Sequence, residues 1–494
     1  VRNRARGLVV YARETRCGRG RARGRKVVSE MRGRGVVRRG TTGRVAGRAV
    51  PRALATAVVL GVAAGLPGGA AVADAGDVPA YRTAEDAQAV DGARSSADGP
   101  RLTSGRIYTD DIGPGEEKYY TVELDAESQP RISVTALPEA GSEVAYGDGV
   151  SVLLEGADGT SCGEGEADFG SDGAARPIAA WVARVTEPDG ACQSAGVYNL
   201  SVTRESDPAS GQAAWPVELR LMSEPGLTSL TSTEAPDTDD LPTEPPGLPT
   251  GTARRLEGGT GFNDAAGMGE GVWKDRLRPG GTRFYRVPVD WGQSLALSAE
   301  FGTAKTGDET AYTSDGVQVA VYNPARGYVT GEGAMYEADA PAAVPVRTPP
   351  AVYGHRYAYD DEVAAASVAG WYYVAVHAHA DLGRFVDGTV PVTLRTELVG
   401  KPGDAPDYAG DPVAAGFGVS DADRDQAEEG LTPQAARRSD TLTVVGWSGV
   451  GTGTLLLAGL ALWWGLARRS AGGSAGWSEG APAAGFGAPP PQRR

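Results

Sequence analysis

Pro279-Gly-Gly-Thr-Arg-Phe-Tyr-Arg-Val-Pro-Val-Asp290 repeats a line written much earlier in the chain, Pro114-Gly-Glu-Glu-Lys-Tyr-Tyr-Thr-Val-Glu-Leu-Asp125. Both open on Pro-Gly, place an aromatic pair and an apolar alternation in the same slots, and close on Asp. The register extends outward: Ile112 to Val134 aligns without gaps to Leu277 to Ala299. Further blocks follow in the same order. Asp148-Gly-Val-Ser-Val-Leu-Leu154 matches Asp315-Gly-Val-Gln-Val-Ala-Val321, Gly196-Val-Tyr-Asn-Leu-Ser-Val202 matches Gly370-Trp-Tyr-Tyr-Val-Ala-Val376, and Pro216-Val-Glu-Leu-Arg220 matches Pro391-Val-Thr-Leu-Arg395. Conserved order and spacing within one chain indicate a duplicated module.

Each block has the period of a strand, with apolar residues at every second position. Tyr120, Val122 and Leu124 share one face, and Tyr285, Val287 and Val289 share the equivalent one. Pro-Gly at 114–115 and 279–280 sets a turn before each strand. The expected fold class is all-β: two tandem antiparallel β-sandwiches, module 1 at 99–222 and module 2 at 256–400. The blocks Tyr120 to Leu124, Val150 to Leu154 and Gly196 to Val202, with their partners in the second copy, resemble the bacterial pre-peptidase C-terminal domain and related jelly-roll modules. That resemblance implies an accessory, non-catalytic module of secreted proteins. The layout also resembles membrane-anchored actinobacterial surface proteins that accompany von Willebrand factor A domains. The metal-binding Asp-x-Ser-x-Ser of those domains is absent from this chain.

Charge is unevenly placed. The net value is -15, but the first fifty or so residues are Arg-rich and the middle is acidic. An acidic body lacks the cationic footprint that nucleic acid requires, so no nucleic-acid partner is expected. Residues 1–30 are expected to be a disordered basic extension or a mis-called start. Residues 31–75 have the pattern of a signal peptide, with Arg38 to Arg52 as basic region, Ala53 to Leu66 as apolar region and Ala71-Val72-Ala73 as cleavage site. Residues 76–98 are expected to be a linker, 223–255 a Pro/Thr-rich linker and 401–440 an acidic stalk. From Thr441 to Ala467 there is no charged residue, and Arg468-Arg469 follow. This predicts a transmembrane helix at 441–467, modules outside the cell and a disordered cytoplasmic tail at 468–494.

Cys162 and Cys192 are expected to form a disulfide in an exported protein. Cys17 lies in the leader. The run Asp421-Ala-Asp423-Arg-Asp425 lacks the glycine and glutamate of a calcium loop and is assigned to the solvated stalk. The histidines are His355, His377 and His379. His377 and His379, with Asp381, are candidates for a zinc site and a zinc-dependent enzyme. Trp371 and Tyr373 share their face and form a candidate binding face for sugar or protein. Module 1 has no histidine to serve as a base for any serine, so no catalytic residue and no cofactor are expected. The leading expectation is a non-enzymatic single-pass envelope protein that scaffolds another envelope protein. The alternative is a carbohydrate-binding protein whose partner is a cell-wall polymer.

Overall fold

The computed structural model describes residues 78–170, 173–187, 190–229, 232–236, 247–304 and 311–471. The signal-peptide, leader and tail expectations at 1–75 and 472–494 lie outside the described residues.

Module 1 is built from β1 (Gln88–Ala89), β2 (Arg101–Leu102), β3 (Ile107–Ile112), β4 (Glu117–Leu124), β5 (Gln129–Ala136), β6 (Gly149–Glu155), β7 (Ser161–Asp168), β8 (Ile178–Ala183), β9 (Gly196–Glu205) and β10 (Trp215–Glu224). Module 2 is built from β11 (Arg254–Arg255), β12 (Ala266–Gly267), β13 (Gly271–Leu277), β14 (Thr282–Val289), β15 (Ser294–Phe301), β16 (Tyr312–Tyr322), β17 (Tyr328–Glu337), β18 (Ala342–Arg347), β19 (Gly370–Ala378) and β20 (Val390–Val399). Each module folds into two five-stranded sheets. Their orders are β1-β3-β10-β5-β8 and β2-β4-β9-β6-β7 in the first, β11-β13-β20-β15-β18 and β12-β14-β19-β16-β17 in the second. The second set is the first with ten added to every strand, so the repeat is a repeat of topology. The sheets are not wholly antiparallel as expected. Each carries a two-residue edge strand paired in parallel: β1 on β3, β2 on β4, β11 on β13 and β12 on β14. Residues 88–98 therefore belong to module 1 rather than to a linker, and Tyr81 upstream of them packs against Phe262 and Phe284 of module 2.

The cores form from the expected alternation. Tyr120, Val122, Leu200, Val202, Val217 and Leu219 pack in one sandwich, and Tyr285, Val287, Val374, Val376, Val392 and Leu394 in the other. Burying each such side chain contributes roughly 1.5–3 kcal/mol.

Alternation fails where the two modules meet. Every residue of β5 is buried, and so are Phe284 to Val289 of β14 and Tyr372 to Ala378 of β19. On β10 the odd positions Val217, Leu219 and Leu221 enter the module 1 core, while Glu218, Met222 and Glu224 are buried on the opposite face. That outer face lies against the outer face of β14, β19 and β16. Ala179 of β8 packs there with Phe262, Phe284, Tyr322, Tyr373 and Ala375. The four sheets thus form successive layers, and the middle two are covered on both faces at their centres, while their edge strands β1 and β17 still meet solvent.

The expected stalk is part of this body. Phe417 is buried with Met222, Ala325 and Val368, and Ala409 donates its N–H to the Gly226 carbonyl at 2.7 Å. The Asp421–Asp425 run is the start of helix α2 (Asp421–Glu429), capped by Ser420, whose side chain accepts from the Asp423 N–H. It is neither a stalk nor a metal loop. The reason is apolar: Phe417, Ala427 and Ala436 are buried and Tyr408 is half-buried. A short helix α1 (Asp361–Ala365) lies in the module 2 insertion, and α3 (Pro433–Ala471) follows α2. Helix α3 runs through the expected span at 441–467, whose side chains at 441–454 are outside the description. Among the described residues no helix is long and apolar enough to cross a membrane, so the structure does not support the transmembrane expectation.

The disulfide is present. Cys162 of β7 and Cys192, ahead of β9, are bridged with their Cα atoms 5.6 Å apart. The chain-entropy model assigns a loop of this length about 3–4 kcal/mol.

Candidate functional site

One buried constellation occurs once in each module. Asp110 accepts from the Tyr120 hydroxyl at 2.8 Å, the Gly92 N–H at 2.7 Å and Lys118 Nζ at 2.7 Å. Asp275 accepts from the Tyr285 hydroxyl at 2.7 Å and the Gly258 N–H at 2.9 Å, with Arg283 Nε at 4.0 Å. A Cβ at Gly92 would come within 2.7 Å of the Tyr120 ring, and one at Gly258 within 2.8 Å of the Tyr285 ring. Only glycine lets the backbone sit on the ring edge. Burial, reinforced by the carboxylates, raises both phenol pKa values well above the ordinary range. The permanent hydroxyl donors make this a structural clamp between the leading segment and the sandwich.

The interface between modules holds two further clusters, both on the outer face of β10. Glu224 accepts from Arg131 Nε at 3.0 Å, from Arg356 Nη1 at 3.0 Å and Nη2 at 2.8 Å, and from the Tyr408 hydroxyl at 2.6 Å. Burial pushes the Glu224 carboxyl upward, but the Arg356 and Arg131 guanidiniums outweigh it and hold the pKa at about 2. Six residues before it, Glu218 pairs with Arg326 and accepts from Asn263 Nδ2 and the Ala84 N–H, each at 3.0 Å. Arg326 has φ 66°, in the left-handed region. Its turn is held by Asn323, whose Oδ1 accepts from the N–H groups of Ala325 and Gly327, each at 2.9 Å. The turn delivers a buried guanidinium to a buried carboxylate.

Trp371 and Tyr373 lie on the expected face, but that face is covered. Tyr373 is 7 % exposed and stacks edge-on against Phe262, with ring centroids 5.2 Å apart. Its hydroxyl accepts from Arg220 of module 1 at 3.4 Å. The Trp371 indole donates to Asp423 of α2 at 2.9 Å, and the Arg286 guanidinium lies 4.0 Å over its ring. Both side chains join parts of the molecule and present no open binding face.

His377 and His379 do not form the candidate zinc site. His379 Nδ1 accepts from the Asp381 N–H at 3.0 Å, and the Asp381 carboxylate pairs with Arg384. Among the described residues no group of three His, Cys, Asp or Glu side chains could hold a metal ion. Gly159-Thr160-Ser161-Cys162-Gly163 has the spacing of a nucleophile elbow. It opens a strand instead of a strand-to-helix turn, and its cysteine is in the disulfide.

What the modules do enclose is a cleft of about 610 Å³. Its floor is the outer face of module 2's inner sheet, at Gln318, Ala320, Ala375 and His377, and its far wall is Asp168, Phe169, Arg176 and Ile178 of module 1. His377 is 2 % exposed, and its Nδ1 lies 2.9 Å from Thr282 Oγ1. Burial, with the charge of Arg176 and His379, holds the imidazole pKa well below its ordinary value, so the ring is neutral. The sequence marked His377 as a site residue but gave no sign of the opposite wall.

No family model matches the chain, and no curated protein matches it. Among solved structures, the human MASP-1/3 CUB1-EGF-CUB2 domain is 9% identical, with a TM-score of 0.15 over 59% of this chain and 99% of that one. Tripeptidyl peptidase 2 is 10% identical, with a TM-score of 0.19 over 61% of this chain and 24% of that one. The ANX2 ectodomain from Arabidopsis thaliana is 6% identical, with a TM-score of 0.16 over 60% of this chain and 86% of that one. At these TM-scores the likenesses carry no argument about family or activity.

Proposed function

We propose that the chain is a non-enzymatic cell-envelope protein whose two modules, of the pre-peptidase C-terminal jelly-roll kind, are displayed outside the cell as one body for binding another envelope protein. The supporting observation is how the body ends. The strap from 401 to 439 is folded against both modules, and α3 then carries Leu455, Leu456, Leu457, Leu460, Leu462, Trp463, Trp464 and Leu466, each more than half exposed. An exposed apolar helix of this kind needs a cover. A bilayer supplies one, with the paired tryptophans at its edge and Arg468-Arg469 beyond. The modules would then stand at the outer surface on a short, folded neck, with the disulfide suited to an oxidising compartment.

The test is fractionation of intact cells making the full chain. The expected result is a membrane-bound chain that resists carbonate extraction, and modules that are cut by protease added outside. A chain recovered without detergent, or shielded from external protease, would overturn the reading.

A further inference from the structure

We propose that the cleft between the modules is a binding site for a cationic side chain, the ammonium or guanidinium of a lysine or arginine on a protein partner, with His377 as the hydrogen-bonding group on its floor. This rests on the interaction reading above and gives its ligand chemistry.

The charge of the lining is one-sided. Glu166, Asp168, Asp315, Glu332 and Asp361 line the cleft against the single guanidinium of Arg176. Among the described residues none of these five carboxylates is in an ion pair. Glu166, Asp168, Glu332 and Asp361 are exposed around the cleft and Asp315 is half-buried, and carboxylates of one sign at a cleft raise the local concentration of cations there.

The second observation is independent of charge. His377 lines the cleft and is almost wholly buried, yet its Nε2 has no hydrogen-bond partner. A buried polar atom left unpaired costs about 1–3 kcal/mol. The Thr282 hydroxyl can accept from Nδ1–H as well as donate to Nδ1; in the tautomer protonated at Nδ1, Nε2 is an acceptor, and an ammonium or guanidinium is the matching donor. The Tyr322 and Tyr328 rings, with centroids 5.9 Å apart, stand at one end, and Tyr328 is 44% exposed. Aromatic faces favour a cation over a neutral group. The volume, about 610 Å³, is in the range of a site for a small ligand or for one or two side chains.

The experiment uses the purified full chain in detergent micelles. The probe is a blocked peptide with a single lysine or arginine between glycines, compared with its norleucine counterpart and with a chito-oligosaccharide. Calorimetry is expected to show saturable binding of the basic peptides with a Kd of roughly 1 mM or tighter. Histidine NMR should then show the His377 ring proton moving while that of His355, away from the cleft, stays. The double variant Asp315→Asn, Glu332→Gln should weaken binding about ten-fold. Asparagine is chosen because Asp315 has φ 48°, a conformation it tolerates. Equal binding of the norleucine peptide, unchanged binding by the variant, no saturation, or binding of the sugar alone would each overturn the proposal. The fractionation experiment fails separately: a surface-displayed chain that ignores basic peptides sinks only the cleft, and a chain never displayed sinks the envelope reading.

Discussion

Glu224 at the end of β10 and Arg356 in the module 2 insertion meet in a two-pronged ion pair, at 2.8 and 3.0 Å, with neither side chain more than 1 % exposed. Arg131 and Tyr408 fill the remaining acceptor positions of the carboxylate. Removing one partner strands the others in a dry environment. Arg356→Ala should therefore destabilise the protein by about 3–5 kcal/mol. Denaturant melts of the two modules, followed by separate probes, check this. A loss of under about 1 kcal/mol would mean the cluster is solvated and the modules are not fused through it.

The same carboxylate gives an acid dependence whose sign follows from its shift. Its pKa is lowered from 4.5 to about 2 by the two guanidiniums, against the upward push of burial. Stability from this group is complete above the unfolded value and is lost as pH falls through the folded one. His377 behaves likewise higher up the scale. Its folded pKa lies well below 6.5 because it is buried beside Arg176 and His379. Its contribution is complete above about pH 6.5 and declines below it. The melting temperature should be flat above about pH 7, fall between about pH 6.5 and 5, and fall again below about pH 4.5. His377→Gln should shrink the first decline, leaving the share of His355, whose pKa burial also lowers, and keep the second. A first decline of unchanged size would show that His377 does not contribute to it.

The duplicated clamp predicts equal and independent losses. Tyr120→Phe and Tyr285→Phe each delete the hydroxyl donor to a buried aspartate while keeping the ring. Each should cost about 1–2 kcal/mol. The sites share no partner, so the double variant should lose the sum within about 0.5 kcal/mol. Chemical denaturation of the four proteins measures it. A marked difference between the single variants would mean that Lys118 and Arg283 compensate unequally.

The strands were legible because Tyr120, Val122 and Leu124 alternate with polar neighbours, and a half-buried strand has no other way to pattern itself. The interface was not. Arg131 and Glu224 are 93 residues apart, Glu224 and Arg356 are 132 apart, and each sits at a position where a charge ordinarily means solvent. Period two reports that Trp371 and Tyr373 face away from their own core. It does not report whether water, a second sheet or a helix lies there. The strap is hard to read for a different reason. Ser420-Asp-Ala-Asp423 carries a capping-box signal, but the acidic composition around it is equally that of a solvated stalk. The cleft needs Asp168 and Asp315, from different modules, on opposite walls, which no local pattern encodes.

The strap can be followed through one ring. Trp371 is held from above by Arg286 and from the side by Asp423, and Arg286 Nη2 also donates to Gln426 of α2 at 3.0 Å. The helix is fixed further by Arg424, which pairs with Asp290 of module 2 at 2.6 Å. Asp423 also serves Ser420 in the capping box, so one carboxylate joins the helix start to the indole. Asp423→Ala should remove the reciprocal half of the capping box and the indole acceptor together, leaving the Ser420 cap on the 423 N–H, at a cost of about 1–2 kcal/mol. The indole should become more exposed, with red-shifted emission and faster acrylamide quenching. The variant Asp423→Asn has one carbonyl oxygen, so it can accept from the indole or from Ser420 but not from both, and should restore only part of the shielding. If Asp423→Ala leaves Trp371 quenching unchanged, Arg286 alone covers the ring, and α2 is held to the modules by its backbone contacts with Gly267 and Gly269 rather than by this side chain.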